Sequence, residues 1–168
     1  MNNNMKITTT GKSLKKLLDE WKFDYVNSDI TENNFPIVTR YKKYAYKLYH
    51  FDRHISSEDA IKEIEKDGYE PANLYELLNW KDWNNKDIVV ALGSVAKVRG
   101  FRGVSCLFRY DVRRSLDLGW WDYDWSFNYR FLAVRNLDSS KLEKELGISA
   151  PLSLESRISA LEEFRTSF

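Results

Sequence analysis

Two apolar runs constrain this chain more than anything else in it: Ile88-Val89-Val90-Ala91-Leu92 and Tyr129-Arg130-Phe131-Leu132-Ala133-Val134-Arg135. Their length and their enrichment in β-branched and aromatic residues read as paired core strands. A cationic segment and a cluster of tryptophans lie between them. Function is expected there.

The 168 residues suit one domain with appendages. Hydrophobic residues make up 43% and charged residues 30%, a globular balance. No apolar run approaches the length that spans a bilayer, so no membrane partner is expected. The start, Met1-Asn2-Asn3-Asn4-Met5, lacks the basic-then-apolar order of a secretory signal, and Cys106 is the single cysteine. Together these point to a reducing, cytoplasmic setting without disulfides. A net charge of +1 argues against a globally basic nucleic-acid binder. Charge is nonetheless uneven: Lys97, Arg99, Arg102, Arg109, Arg113 and Arg114 face only Asp111 in their segment. Aromatic residues, 15% of the chain, concentrate between Trp80 and Tyr129.

In chain order, residues 1 to about 11 carry no period and read as a frayed start. Ser13 caps a helix with Leu14, Leu17, Leu18 and Trp21 on one face. A loop rich in Asn, Ser, Asp and Thr follows, to Pro36. The alternation of Tyr44, Tyr46 and Leu48 with Ala45, Lys47 and Tyr49 predicts a strand, its rival being a basic aromatic face for nucleic acid. Ser56 or Ser57 caps a helix over about 57–67, ended by Gly68. Asn73 and Glu76 form a capping box for a second short helix that stops near Trp80. Beyond Leu92, Gly93-Ser94 reads as a bend, Arg99 to Gly103 as a turn, and Val104 to Phe108 as the returning strand of a hairpin. The alternation from Trp120 to Tyr129 continues into the last strand, one set of side chains inward and the other toward solvent. In the tail, Ser140 and Glu143 cap a helix ended by Gly147. A second helix over 153–165 follows, with Leu154, Ile158, Leu161 and Phe164 or Arg165 at helical spacing.

Tests for chemistry return little. The only histidines, His50 and His54, flank Asp52 in a strand-like context, and they read as a solvated pair rather than metal ligands. Cys106, in an apolar strand, reads as packing. G-x-S-x-G, H-E-x-x-H, P-loop and G-x-G-x-x-G motifs are all missing. Asp122 and Asp124 read as an ion-pair face offsetting Arg113, Arg114 or Arg130 rather than as a glycosidase pair. A pocket gathering Asp122, Asp124 and His50 or His54 would revive an enzymatic reading.

Two segments carry a resemblance. Gly68-Tyr69-Glu70-Pro71-Ala72-Asn73-Leu74-Tyr75-Glu76-Leu77-Leu78 resembles the glycine, turn and acidic-helix segment of the C-type-lectin-like fold in its formylglycine-generating-enzyme branch. Asn128 to Arg135 resembles the closing strand of that branch. The arrangement is similar to small proteins of phages and reduced bacterial genomes, and to the variable targets of diversity-generating retroelements, which display binding residues ahead of the last strand. The resemblance implies a mixed α+β scaffold whose loops bind something. Its chemistry is not implied, because one cysteine cannot supply the enzymes' cysteine pair. Glu70-Pro71-Ala72 and Trp83-Asn84-Asn85 match the lectin calcium motifs only in part.

The expectation is therefore an α+β domain at about 37–135, with a small mixed or antiparallel sheet and two short helices on it. A helical extension over 1–36 precedes it and a helical tail over 136–168 follows. A non-enzymatic binding role is expected, without cofactor or metal, through a face built from Arg99, Arg102, Arg109, Arg113, Trp120, Trp121, Tyr123 and Trp125. Trp, Tyr and Arg dominate protein interface hot spots, so a protein partner is favoured. An inhibitor or adaptor encoded by a phage or other mobile element fits the size. The alternative is a nucleic-acid binder in which the arginines contact phosphates and the aromatics stack on bases.

Overall fold

The computed structural model describes residues 5–8 as backbone and residues 11–137 in full. In chain order it contains β1 (Met5–Thr8), α1 (Leu14–Trp21), β2 (Tyr25–Val26), β3 (Lys43–His50), α2 (Ser57–Lys66) and β4 (Glu70–Pro71). These are followed by α3 (Leu74–Asn79), β5 (Ile88–Val98), β6 (Phe101–Tyr110), β7 (Arg113–Trp120) and β8 (Tyr129–Asn136). The tail helices expected around Ser140 to Gly147 and over 153–165 lie outside the described residues.

The fold is α+β, with the strands in one mixed eight-stranded sheet ordered β1-β3-β8-β5-β6-β7-β2, and β4 added against β8. The two apolar runs are neighbours: β5 and β8 pair in parallel, Ile88 with Tyr129, Val89 with Arg130 and Val90 with Phe131. Their buried stretches, Val89 to Leu92 and Phe131 to Val134, are continuously apolar because both faces of the sheet are covered there. Val89, Ala91, Leu132 and Val134 belong to one buried cluster with Leu14, Leu17 and Trp21 of α1 and Leu74, Leu77 and Leu78 of α3. Val90, Leu92, Phe131 and Ala133 belong to a second with Ala60 and Ile64 of α2, Ile55 and Trp125. Burying each such aliphatic side chain contributes about 1.5–3 kcal/mol, so the two clusters carry most of the drive to fold.

Local signals act as their chemistry predicts. Ser13 and Ser56 accept from the amides of Lys16 and Asp59, and Asn73 and Glu76 complete the capping box of α3. Glu76 is fully buried, and a buried carboxylate needs full compensation. Arg40 supplies it, donating from Nη2 at 2.5 Å, while the Asn73 amide donates at 2.9 Å.

The segment before residue 37, expected as an extension, shares this core. Leu14, Leu17, Trp21, Ile30 and Phe35 are buried in the first cluster, and β2 pairs in parallel with β7 at Ser115 and Leu116. Three local expectations are corrected. The start is not featureless, because Met5–Thr8 pairs with β3. Gly93-Ser94 is not a bend between strands: β5 runs through it with an irregular register between Ala91 and Ala96. The alternating aromatics after Trp120 do not extend β8, because residues 121–128 form turns and a single bridge from Trp125 to Ile55.

Two features are open to measurement. Gly93 lies against the backbone leading into α3, donating its amide to Ala72 O at 2.7 Å. A Cβ there would sit 2.6 Å from the Ala72 carbonyl carbon and oxygen, and closer still to Pro71 O. Gly93→Ala should therefore cost about 3 kcal/mol in urea denaturation. Gly103→Ala, whose Cβ would meet Leu118 at 3.4 Å, should stay within about 0.5 kcal/mol of wild type.

Burial, and then hydrogen bonds to Glu70 and Asp67, push the Tyr41 and Tyr49 phenols well above their ordinary value of 10. Burial pushes Tyr75 up to about 12. Ionisation is thus harder in the folded chain. The contribution of these groups is complete below pH 10, and it is lost as pH rises from there toward the folded values. Stability should fall above pH 10, and less steeply in Tyr41→Phe with Tyr49→Phe.

Candidate functional site

The β5–β6 hairpin turns through Arg99 (φ 52) and Gly100 (φ 83), a two-residue turn that requires positive φ at both positions. Asn and Gly are preferred there, so an arginine costs about 1–2 kcal/mol of backbone strain. Its one ion pair among the described residues, to Asp29 at 3.4 Å with the Arg99 side chain 77% exposed, returns about 0–1 kcal/mol.

Beside the turn, Phe101 and Trp120 pack with ring centroids 5.5 Å apart. Register sets this contact: Trp120 lies opposite Gly103, which leaves its ring free to lean toward Phe101. Phe101 is 53% exposed, Trp120 36% and Tyr123 63%, so a packed pair of rings and the nearby Tyr123 ring face solvent. Tyr123 is held in a turn by its amide, which donates to Trp120 O at 3.3 Å.

The loop after Trp120 is stitched to the start of α2. Trp121 donates from Nε1 to Glu58 Oε1, Ser57 Oγ donates to Trp121 O, and Trp125 donates from Nε1 to Ser57 Oγ, each at 2.9 Å. Ile55 and Trp125 exchange backbone hydrogen bonds at 3.0 and 2.8 Å. Trp125, 4% exposed, packs against Tyr129 and Phe131 and lies over Gly119, where a Cβ would come within 2.7 Å of its ring. Strand alternation puts Arg102 on the α2 side. There it forms a two-pronged pair with Asp122, its guanidinium carbon 5.7 Å from the centre of the Trp121 ring. The hydrogen bond from Arg102 holds the Asp122 carboxyl below the usual range, so it stays ionised.

This geometry divides the expected face. Arg99, Arg102, Trp120, Trp121 and Tyr123 gather at the β5–β6 end of the sheet. Arg109 and Arg113 stand at the other end of the hairpin, about 23 Å along β6 from Arg102 at about 3.3 Å per residue. Arg109 donates to Asp111 O at 2.8 Å and Asn85 O at 3.0 Å, whereas Arg113 is exposed and makes no ion pair among the described residues. Trp125 is core, because the loop turns it beneath Gly119. Arg114 is also structural, donating to Trp21 O and Asn85 Oδ1 at 2.8 Å each while packed on the rings of Trp21, Phe23 and Trp83.

The carboxylates are corrected as well. Asp122 pairs with Arg102, not with Arg113, Arg114 or Arg130, and Arg130 pairs instead with Asp87 at 3.0 Å. His50, whose Nε2 lies 2.6 Å from Phe127 O, sits opposite Arg130 at the far end of the sheet from Asp122. Among the described residues no group of three or more His, Cys, Asp or Glu is placed to hold a metal ion. Burial pushes the Cys106 thiol up to about 12, so it is not a ready thiolate nucleophile. No described helix is long and apolar enough to cross a membrane.

Sequence reasoning missed Phe101, Ser57 and Glu58. The signal for Phe101 was its place one residue past a positive-φ turn, where hairpin pairing projects it beside the facing strand. Nothing local marked Ser57 and Glu58, since they act across the fold. The chain matches no known protein family, no curated protein and no solved structure.

Ser57→Ala removes the acceptor of a buried indole N–H and should cost about 1–3 kcal/mol. It should also loosen Trp121, read as a red shift of tryptophan fluorescence in the folded protein.

Proposed function

We propose that this chain is a non-enzymatic binding module that engages a protein through the β5–β6 tip. One observation carries the reading: Phe101, Trp120 and Tyr123 present exposed rings on a loop and hairpin pinned by Ser57, Glu58 and Trp125. Rigid aromatic residues beside arginine are the composition of interface hot spots, and anchoring them in advance lowers the entropy lost on binding. The resemblance to folds that display binding residues ahead of the last strand supports the same stretch, since residues 120–128 precede β8. An inhibitor or adaptor of a phage or other mobile element, working in a reducing cytoplasm, is the kind of protein such a module suits.

Charge pairing weighs against the nucleic-acid alternative. Arg99 and Arg102 already hold Asp29 and Asp122, so phosphate contacts there would have to displace carboxylates. Arg109 and Arg113 lie too far away to join them.

The test is affinity capture from a lysate of the source cells with nuclease treatment. Wild type is compared with Phe101→Ala plus Trp120→Ala, and with Arg109→Ala plus Arg113→Ala. A protein should be retained through nuclease and moderate salt, with its affinity reduced about thirtyfold or more by the tip pair and unchanged by the arginine pair. Nucleic acid released steeply by salt and lost with the arginine pair would establish the alternative instead.

A further inference from the structure

We infer that the exposed stretch from Pro36 to Thr39 is a docking surface for this chain's own C-terminal segment, residues 153–165. Pro36 to Arg40 belong to no helix or strand, and they make no backbone-to-backbone hydrogen bond among the described residues. Ile37 is 44% exposed and Val38 46%, and Pro36 and Thr39 are exposed on either side of them. The stretch is nonetheless fixed at both ends. Buried Phe35 accepts at its carbonyl from the Tyr75 hydroxyl at 2.5 Å, while Arg40 donates to Pro71 O at 3.1 Å and pairs with Glu70 and Glu76. A surface held in advance loses little entropy when it is covered. Ile37, Val38 and Thr39 are β-branched in a row with unpaired backbone groups, the combination that invites another chain to add a strand. Covering such a stretch with a helix removes that hazard.

The place where β8 ends selects the cover. Asn136 lies opposite Tyr44, and Leu137 donates its amide to Lys43 O at 3.0 Å, so the C-terminal segment leaves the sheet beside the residues that follow this stretch. Val38 precedes Lys43 by five positions, which puts it within about 17 Å of that point at about 3.4 Å per residue. Residues 138–152 reach about 50 Å when extended, and about 35 Å if 140–147 coil into a helix. Reach is ample in both cases. Tethering also supplies an effective concentration on the order of millimolar, so a small apolar contact is enough to close.

The segment carries a matching surface. Leu154, Ile158 and Leu161 recur at spacings of four and three, which is one apolar stripe of a helix. No described element accounts for that stripe. Tyr110 and Val112 are exposed as well, but they stand at the opposite end of the sheet, beyond Leu107, which pairs with Val89 where β8 begins.

The experiment is disulfide trapping in the full chain at submicromolar concentration, with Val38→Cys and Ile158→Cys introduced together. Cys106 is buried and stays out of the exchange. The control is Val112→Cys with Ile158→Cys, and thermal melts of the reduced variants check that each is folded. The first pair should close within one chain about tenfold faster than the control. Adding Leu154→Ser with Leu161→Ser should slow the first pair about tenfold and leave the control unchanged. Equal rates for the two pairs would show that the segment has no preferred surface, and would overturn the inference. So would a disulfide that joins two chains, since the occupant would then be a second copy. A fast first pair indifferent to Leu154 and Leu161 overturns it too, because the apolar stripe would then not be what docks.

Discussion

The parallel pairing of Ile88, Val89 and Val90 with Tyr129, Arg130 and Phe131 is the constraint on which the rest of the molecule depends. Side chains alternate between the faces of each strand, and in these two strands the buried residues on both faces, Val89 to Leu92 and Phe131 to Val134, are apolar. Neither face can be left to water, so the chain must supply two covers. On one side α1 and α3 pack with Ile30 and Phe35. On the other, α2 covers only part of the surface, and Trp125 fills the remainder.

That second cover joins stability to function. The chain reaches the start of β8 from the end of β7 by crossing the second face, and residues 121–128 make the crossing. Trp125 is driven inward by burial, and its indole N–H must then find an acceptor, which Ser57 provides. The same serine holds the carbonyl of Trp121, and Glu58 holds its indole. Once these are fixed, Arg102 and Asp122 close over Trp121, while Trp120 and Tyr123 are left outside with Phe101. The exposed rings are thus a consequence of how the buried one is anchored.

Charge is arranged with equal economy. Of the arginines between Lys97 and Arg114, Arg114 is absorbed into the packing of Trp21, Phe23 and Trp83, and Arg109 caps backbone carbonyls of neighbouring turns. Arg99 and Arg102 carry carboxylate partners. Two of the cations in a segment that looks strongly cationic in one dimension are thus paired with carboxylates in three. Their partners Asp29 and Asp122 come from a loop on each side of the hairpin, not from the segment itself.

Patterns that act over a few residues were legible without coordinates. Ser13, Ser56 and the Asn73–Glu76 box mark helix starts because a cap is a contact between near neighbours. The two apolar runs mark the central strands because burial on both faces erases alternation. Alternation failed at Trp120 to Tyr129, where a period of two was satisfied by turns, with one ring buried and its neighbours outside. It failed because spacing records which residues avoid water, not which surface they avoid it against. The sequence by itself determined an α+β domain, its helix starts, its central strands and the stretch that carries exposed aromatics. Only the tertiary structure decided that Trp125 is core, that Arg109 and Arg113 stand apart from Arg102, and that Phe101 joins the site. Each of those depends on strand register and on contacts between residues distant in the chain, such as Ser57 with Trp125, which local pattern does not encode.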